Sequence, residues 1–154
     1  ADLRIRSPDD VSVEDFDATI AVNLRAPFLM AQAAFPSMRE RGFGRILFVS
    51  SVAGFVGGVV GPHYAASKAG LHGIVHSLAR HLAHHGITVN AIAPALIEDT
   101  GDLAALGDLE SLRQRIPLGR FGLSAEVADL ALAILASGYM TSQVVSLDGG
   151  IHPR

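Results

Sequence analysis

Two continuous apolar runs of strand length, Arg45-Ile-Leu-Phe-Val-Ser50 and Ile87-Thr-Val-Asn-Ala-Ile-Ala93, constrain this chain more than any other feature. Neither alternates polar with apolar residues, and both are rich in β-branched side chains. Such runs suit strands buried on both faces, which requires helices above and below a parallel sheet. The intervening segments read as those helices. Ser12 with Glu14 and Asp15 is a capped start, and the helix it opens should run to about Arg41. Pro27 and Pro36 lie inside it, and since neither can donate to the carbonyl four residues back, two bends or breaks are expected. Gly42 and Gly44 close it.

A glycine-rich loop from Gly54 to Gly61 then leads through Pro62 into a helix from about His63 to His84, closed by Gly86, and Pro94 stops the second strand. A short helix is expected near Leu109 to Arg115, and another from Ser124, with Glu126 in its first turn, to Ser137 and Gly138. Gln143-Val-Val-Ser-Leu147 reads as a third strand. Strands that alternate with helices define an α/β chain of parallel βαβ units, the pattern of a doubly wound sheet.

At 154 residues the chain can bury one core, and a single domain over 1–154 is expected. A net charge of -3 gives no footprint for nucleic acid, so Arg4, Arg6, Arg39, Arg41 and Arg45 read as solvated surface. With no cysteine, disulfides and thiolate metal sites are excluded, which suits a reducing, cytoplasmic setting. No apolar stretch reaches the roughly 18 residues that span a bilayer, so no membrane partner is expected. The start at Ala1, without methionine or signal region, reads as an internal cut.

The strongest chemical signal is Tyr64-Ala-Ala-Ser-Lys68. Four residues on a helix place two side chains on one face, roughly 6 Å apart. An ammonium so placed should lower the phenol pKa from near 10 and make the hydroxyl a usable acid or base. A tyrosine and lysine at this spacing also arise as a surface accident. Ser51, however, ends the preceding strand, where a parallel sheet presents its ligand edge, and its hydroxyl can donate to a carbonyl oxygen that gains charge; the plainer alternative is a strand-end turn. Asn23 precedes Pro27 by four residues, so its carbonyl lacks a helical donor, and an ordered water could link it to Lys68; a kinked helix with a satisfied asparagine is the plainer alternative.

Asn23, Ser51, Tyr64 and Lys68 resemble, in order and spacing, the Asn-Ser-Tyr-Lys tetrad of classical short-chain dehydrogenases/reductases. Val22-Asn23-Leu24, Gly44 to Ser51, Gly54, Gly86 to Pro94 and Asp148-Gly-Gly150 also resemble that family, across essentially the whole chain. The resemblance implies a Rossmann-like fold and hydride transfer between NAD or NADP and a small carbonyl or alcohol substrate. Tyr64 would carry the proton, Ser51 would polarise the substrate oxygen, Lys68 would tune the tyrosine and bind the nicotinamide ribose, and Asn23 would hold the relay water. Backbone groups of Pro94, Ala95 and Ile97 would face the carboxamide. Three positions depart from the family pattern: Ala95 and Ser142 stand where glycine is usual, and Asp99 where threonine is common, with Thr100 next.

The resemblance also implies a glycine-rich phosphate turn, which this sequence does not contain: Gly42-Phe-Gly44 precedes a strand, and the Gly54 to Gly61 loop lacks the Gly-x-Gly start. The chain thus reads as the C-terminal, catalytic part of such a domain, with weak or absent cofactor affinity expected. The alternatives are an inactive fragment retained for assembly and a related epimerase or dehydratase. A homodimer or homotetramer is expected from the family, and Ala21, Leu24, Phe28, Ala31 and Phe35 fit either an interface or a core stripe. His72/His76 and His81/His85 lie four apart, but no further ligand accompanies them, so no metal is expected. Leu103, Leu106, Leu109, Leu112 and Ile116 in the connection from Glu98 to Arg120 point to an apolar or acyl substrate, as in 3-oxoacyl thioester reductases.

Overall fold

A computed structural model describes residues 7–58, 60–98, 100, 103 and 107–152. Ala1, Arg4, Arg6, Asp99 and Leu106, singled out above, lie outside these residues. A 3-10 turn over Pro8–Asp10 precedes α1 (Val13–Ile20), which is capped by Ser12: its hydroxyl accepts from the Asp15 N–H at 3.0 Å. A π-helical turn, Ala21–Arg25, joins α1 to α2 (Ala26–Arg41). Then come β1 (Gly44–Val49), the short α3 (Ala53–Val56), the long α4 (Pro62–Leu82), β2 (Ile87–Pro94), α5 (Leu109–Gln114), α6 (Ser124–Ala136) and β3 (Val144–Leu147).

Of the two expected bends, only one interrupts the helix. Pro27 cannot donate to the Asn23 carbonyl, and the chain relaxes by widening one turn, with the Ala26 N–H reaching back five residues to the Ala21 carbonyl. Pro36 sits within an unbroken α2.

The strands form one parallel sheet in the order β1-β2-β3, with Phe48 opposite Ala91 and Ala91 opposite Val144. α2 and α4 cover one face and α6 the other. β2, the central strand, is buried from Ile87 to Ala93, as its apolar run requires. β1 departs from the expectation. Gly44, Ile46 and Phe48 are buried, but Arg45 and Leu47 are half-buried and Val49 is exposed. Among the described residues it pairs on one side only, and its second face is covered just partly by α6, where Arg45 Nε donates to the Leu135 carbonyl at 3.2 Å.

The main core joins Ala31 and Phe35 of α2, Leu71, Val75, Ala79 and Leu82 of α4, and the facing residues of β1 and β2. Leu24 packs against it, so the stripe through Leu24, Ala31 and Phe35 faces inward. A satellite cluster of Leu103, Ile116 and Phe121 holds the segment after β2. Buried Asn90 is satisfied: its Nδ2 donates to the Met140 carbonyl at 2.8 Å, and its Oδ1 accepts from the Gln143 N–H at 3.0 Å. Gly86 links α4 to β2 at φ 72°, where a Cβ would lie 2.2 Å from the Gly42 carbonyl oxygen, so only glycine fits. Among the described residues, no helix is long and apolar enough to cross a membrane.

Candidate active site

The carboxyl ends of the strands converge on a cleft of about 740 Å³, lined by Val49, Ser51, Tyr64, Lys68, Pro94, Ile97 and apolar residues of α6 among others. This is the edge where parallel sheets present their ligands. Three of the four tetrad residues line it. Ser51 lies just past β1, where the Ser50 N–H still bonds to the Ile92 carbonyl at 2.7 Å and the Val52 N–H to the Pro94 carbonyl at 3.0 Å. The Ser51 Oγ accepts the Ala53 N–H at 3.2 Å, which leaves its own proton to donate. That hydroxyl faces the Tyr64 phenol closely enough to oppose the rise of its pKa.

Tyr64 and Lys68 occupy the first turns of α4, whose start is set by Gly61 and Pro62. Burial raises the Tyr64 pKa above 10, and Ser51 opposes that rise. The ammonium was expected to dominate; here it does not. Lys68 Nζ lies 5.6 Å from the centre of the Tyr64 ring and donates to the Val49 carbonyl at 2.9 Å, so its charge is held toward the end of β1. Burial lowers the Lys68 pKa as well.

Asn23 stands in the π turn. Its Nδ2 donates to the Ser67 Oγ at 3.2 Å, and that hydroxyl in turn donates to the Tyr64 carbonyl at 2.7 Å. Ser67 is fully buried. The bond therefore ties the π turn to the turn of α4 that carries the tyrosine.

Beyond β2, the Ala95 N–H donates to the Leu147 carbonyl at 3.0 Å, and the Pro94 carbonyl accepts from Val52. Ile97 is bridged to Gly122, and its carbonyl accepts the Thr100 hydroxyl at 2.8 Å. Pro94 and Ala95 thus use these backbone groups to fix the segment, and they line the cleft together with Ile97 and Thr100. Ser142, at a family glycine position, has φ 61°, a left-handed conformation that favours glycine.

The histidines have separate partners. His72 Nε2 lies 2.8 Å from the Ser50 Oγ, His76 Nδ1 3.0 Å from the Ser142 Oγ, and His81 Nδ1 2.8 Å from the Ser77 carbonyl. Sequence reading missed Ser50 and Ser67, and weighed His72 only as a metal ligand. The Ser50-Ser51 doublet was the available signal, since neighbouring residues at a strand end point to opposite faces.

The family profile described as enoyl-(acyl carrier protein) reductase matches residues 5–152. The chain is 41% identical over 153 residues to the 3-oxoacyl-(acyl-carrier-protein) reductase FabG of Rickettsia felis, an alignment covering 97% of this chain and 61% of that protein. It is 44% identical over 142 residues to the Thermotoga maritima protein of the same name, covering 90% and 57%. The crystal structure of the TT0495 protein from Thermus thermophilus superposes with a TM-score of 0.89 at 35% identity, over 98% of this chain and 66% of that one. The chain therefore spans about three-fifths of the length of these curated relatives.

Proposed function

Because the chain belongs to the short-chain dehydrogenase/reductase family, we propose that it acts in NAD(P)-dependent hydride transfer between the nicotinamide and a carbonyl or alcohol carbon, with Asn23, Ser51, Tyr64 and Lys68 as its working residues. The observation that carries this reading is the convergence of Tyr64, Ser51 and Lys68 on one cleft at the strand ends, with the Lys68 Nζ 5.6 Å from the tyrosine ring.

Tyr64, held above the ordinary phenol value, is protonated at neutral pH and is the general acid for reduction. Its proton passes to the carbonyl oxygen as that atom gains negative charge. Ser51, its oxygen already held by the Ala53 N–H, donates a second hydrogen bond to the same atom. The Lys68 ammonium repays the lost proton through solvent or bound hydroxyls, and Asn23 holds the turn on which both groups ride.

The cleft fits the reactive end of a nicotinamide cofactor. Its volume is in the range of small-molecule sites, and its polar groups, the Tyr64 hydroxyl and the Lys68 ammonium as donors and the Thr100 hydroxyl oxygen as an acceptor, suit ribose and carboxamide groups. Lys68 would hold the ribose, and the Pro94, Ala95 and Ile97 segment would face the carboxamide. When bound, the cofactor supplies or accepts the hydride.

An acyl substrate is the finer reading. Leu96, Leu103, Leu112, Val127 and Ala131 give the cleft an apolar wall, and the FabG relatives are named as 3-oxoacyl reductases. A cysteine-free chain suits the cytoplasm, and the exposed Val22, Leu29 and Met30 suit a homodimer. The test is oxidation of NADH and NADPH with a 3-oxoacyl thioester and, separately, a 2-enoyl thioester. Turnover of the first, lost in Tyr64→Phe, supports the proposal. Turnover of the enoyl compound alone overturns the carbonyl assignment, and turnover of neither by the chain overturns the activity itself.

A further inference from the structure

Ser50 is 3% exposed and touches two residues of α4 at once. Its hydroxyl donates to the Lys68 carbonyl at 3.0 Å and lies 2.8 Å from His72 Nε2. A serine has one proton; with that proton on the Lys68 carbonyl, Nε2 of His72 must carry hydrogen and donate to the serine oxygen. We propose that Ser50 and His72 form a clamp that positions Ser51 and Lys68 relative to Tyr64, making His72 a positioning residue for the reaction proposed above, on which this inference rests.

Three observations meet on the clamp. Lys68 is tied to the end of β1 twice, by its carbonyl to Ser50 and by its Nζ to the Val49 carbonyl at 2.9 Å, so the β1 terminus and the second turn of α4 are fixed to each other. Ser51 is the next residue along, and its reach to the phenol depends on how the Ser50-Ser51 peptide is rotated. The space for the imidazole is also built. A Cβ at Gly54 would come within 2.8 Å of His72 Cε1, and the Phe55 ring lies 4.4 Å from the imidazole centre, itself stacked on His152 at 5.3 Å. Glycine at 54 and the aromatic at 55 together leave a slot of imidazole size. No atom of His72 needs to enter the cleft for this role; it acts through Ser50.

Tyr64 ionisation reads the clamp directly, because Ser51 is the group that opposes the effect of burial on the phenol. The chain has two tyrosines, and the other, Tyr139, is fully exposed, so subtraction of a Tyr64→Phe titration isolates the site. Phenolate absorbance is followed against pH in the parent, Ser51→Ala, Ser50→Ala, His72→Leu and His72→Gln, with thermal melts run alongside. Expected is an upward shift of the Tyr64 midpoint by about half a unit in Ser51→Ala, Ser50→Ala and His72→Leu, with His72→Gln, whose amide can still donate to Ser50, titrating like the parent. If Ser51→Ala moves the midpoint while folded Ser50→Ala and either His72 variant do not, the clamp is overturned. A purely structural histidine would lower the melting temperature in both His72 variants and leave the midpoint in place, which also overturns it. Should Ser51→Ala leave the midpoint unmoved, the Ser51 to Tyr64 pairing behind the proposed function fails, and the clamp falls with it.

Discussion

Ser142 pits local strain against a hydrogen bond. Its φ of 61° belongs to glycine, and a side chain there costs about 1 kcal/mol. The hydroxyl recovers part of this through His76, 3.0 Å away on an exposed face where such bonds contribute about 0.5 kcal/mol. Ser142→Gly is therefore expected to raise the denaturant midpoint slightly, and Ser142→Ala, which keeps the strain and loses the bond, to lower it. Both are measured by urea unfolding; a fall in both would place the bond above the strain. Tyr64 gives a second prediction at this scale. Since burial holds the phenol above 10, reduction, which uses the protonated form, should be flat across neutral pH, whereas alcohol oxidation, which uses the phenolate, should rise as pH approaches 10 and beyond. Initial rates in both directions check it. Tyr64, Lys68 and Ser51 were legible in the sequence because spacing on a helix and a strand end fixes where they meet. The direction of the Lys68 ammonium was not, because it depends on the Val49 carbonyl, nineteen residues away and unknown until β1 and α4 are docked.

Elements were legible where backbone chemistry acts locally. Ser12, Gly42, Gly86 and Pro62 mark helix ends that the structure reproduces within a residue or two. The π turn was half legible: Pro27 announces a defect at Asn23, but whether the chain kinks, breaks or widens depends on what packs beside it. That neighbour is Gly70 of α4, where a Cβ would lie 2.8 Å from a Leu24 methyl. Gly70→Val is expected to push Leu24 and the adjoining Asn23 away from Ser67, at a cost of about 1–3 kcal/mol and with a disproportionate loss of kcat. Equal loss of stability with unchanged kcat per folded molecule would show that the π turn does not support catalysis. At the start of α6, Glu126 accepts from the Leu123 N–H at 2.9 Å and pairs with Arg120 at 2.6 Å, and these hold its carboxyl at about 2. The folded pKa lies below the ordinary value of 4.5, so this stabilisation is complete above that pH and lost as pH falls toward 2. Glu126→Gln should flatten that part of the stability profile against pH, read from melting temperatures between neutral pH and acid.

At the scale of the whole molecule, the apolar runs established a parallel sheet between helix layers but overstated its burial. They predicted two fully covered strands, and only the central one is; among the described residues β1 has a single strand neighbour, and its Leu47 and Val49 border the cleft. Nor could periodicity reveal that the apolar residues divide into two clusters. The larger one binds α2 and α4 to the sheet, while Leu103, Ile116 and Phe121 form a separate group that folds the segment after β2 over the cleft. Separate cores open separately, because each carries its own share of buried surface. Val75, fully buried in the first cluster, should cost about 2 kcal/mol of global stability when cut to alanine, and faster hydrogen exchange should then spread through α4, β1 and β2 together. Phe121→Ala removes a larger side chain, about 3 kcal/mol of packing, yet its cost should stay local. Amides of α5 and of the turn through Gly119 and Gly122 should exchange faster, while those of β2 keep their protection. Exchange measured by mass spectrometry on both variants decides the matter. Coupled loss of protection in β2 when Phe121 is truncated would mean that the cover over the cleft and the sheet beneath it unfold as one body, and that the cleft cannot open without loosening the strands that carry Ser51 and Pro94.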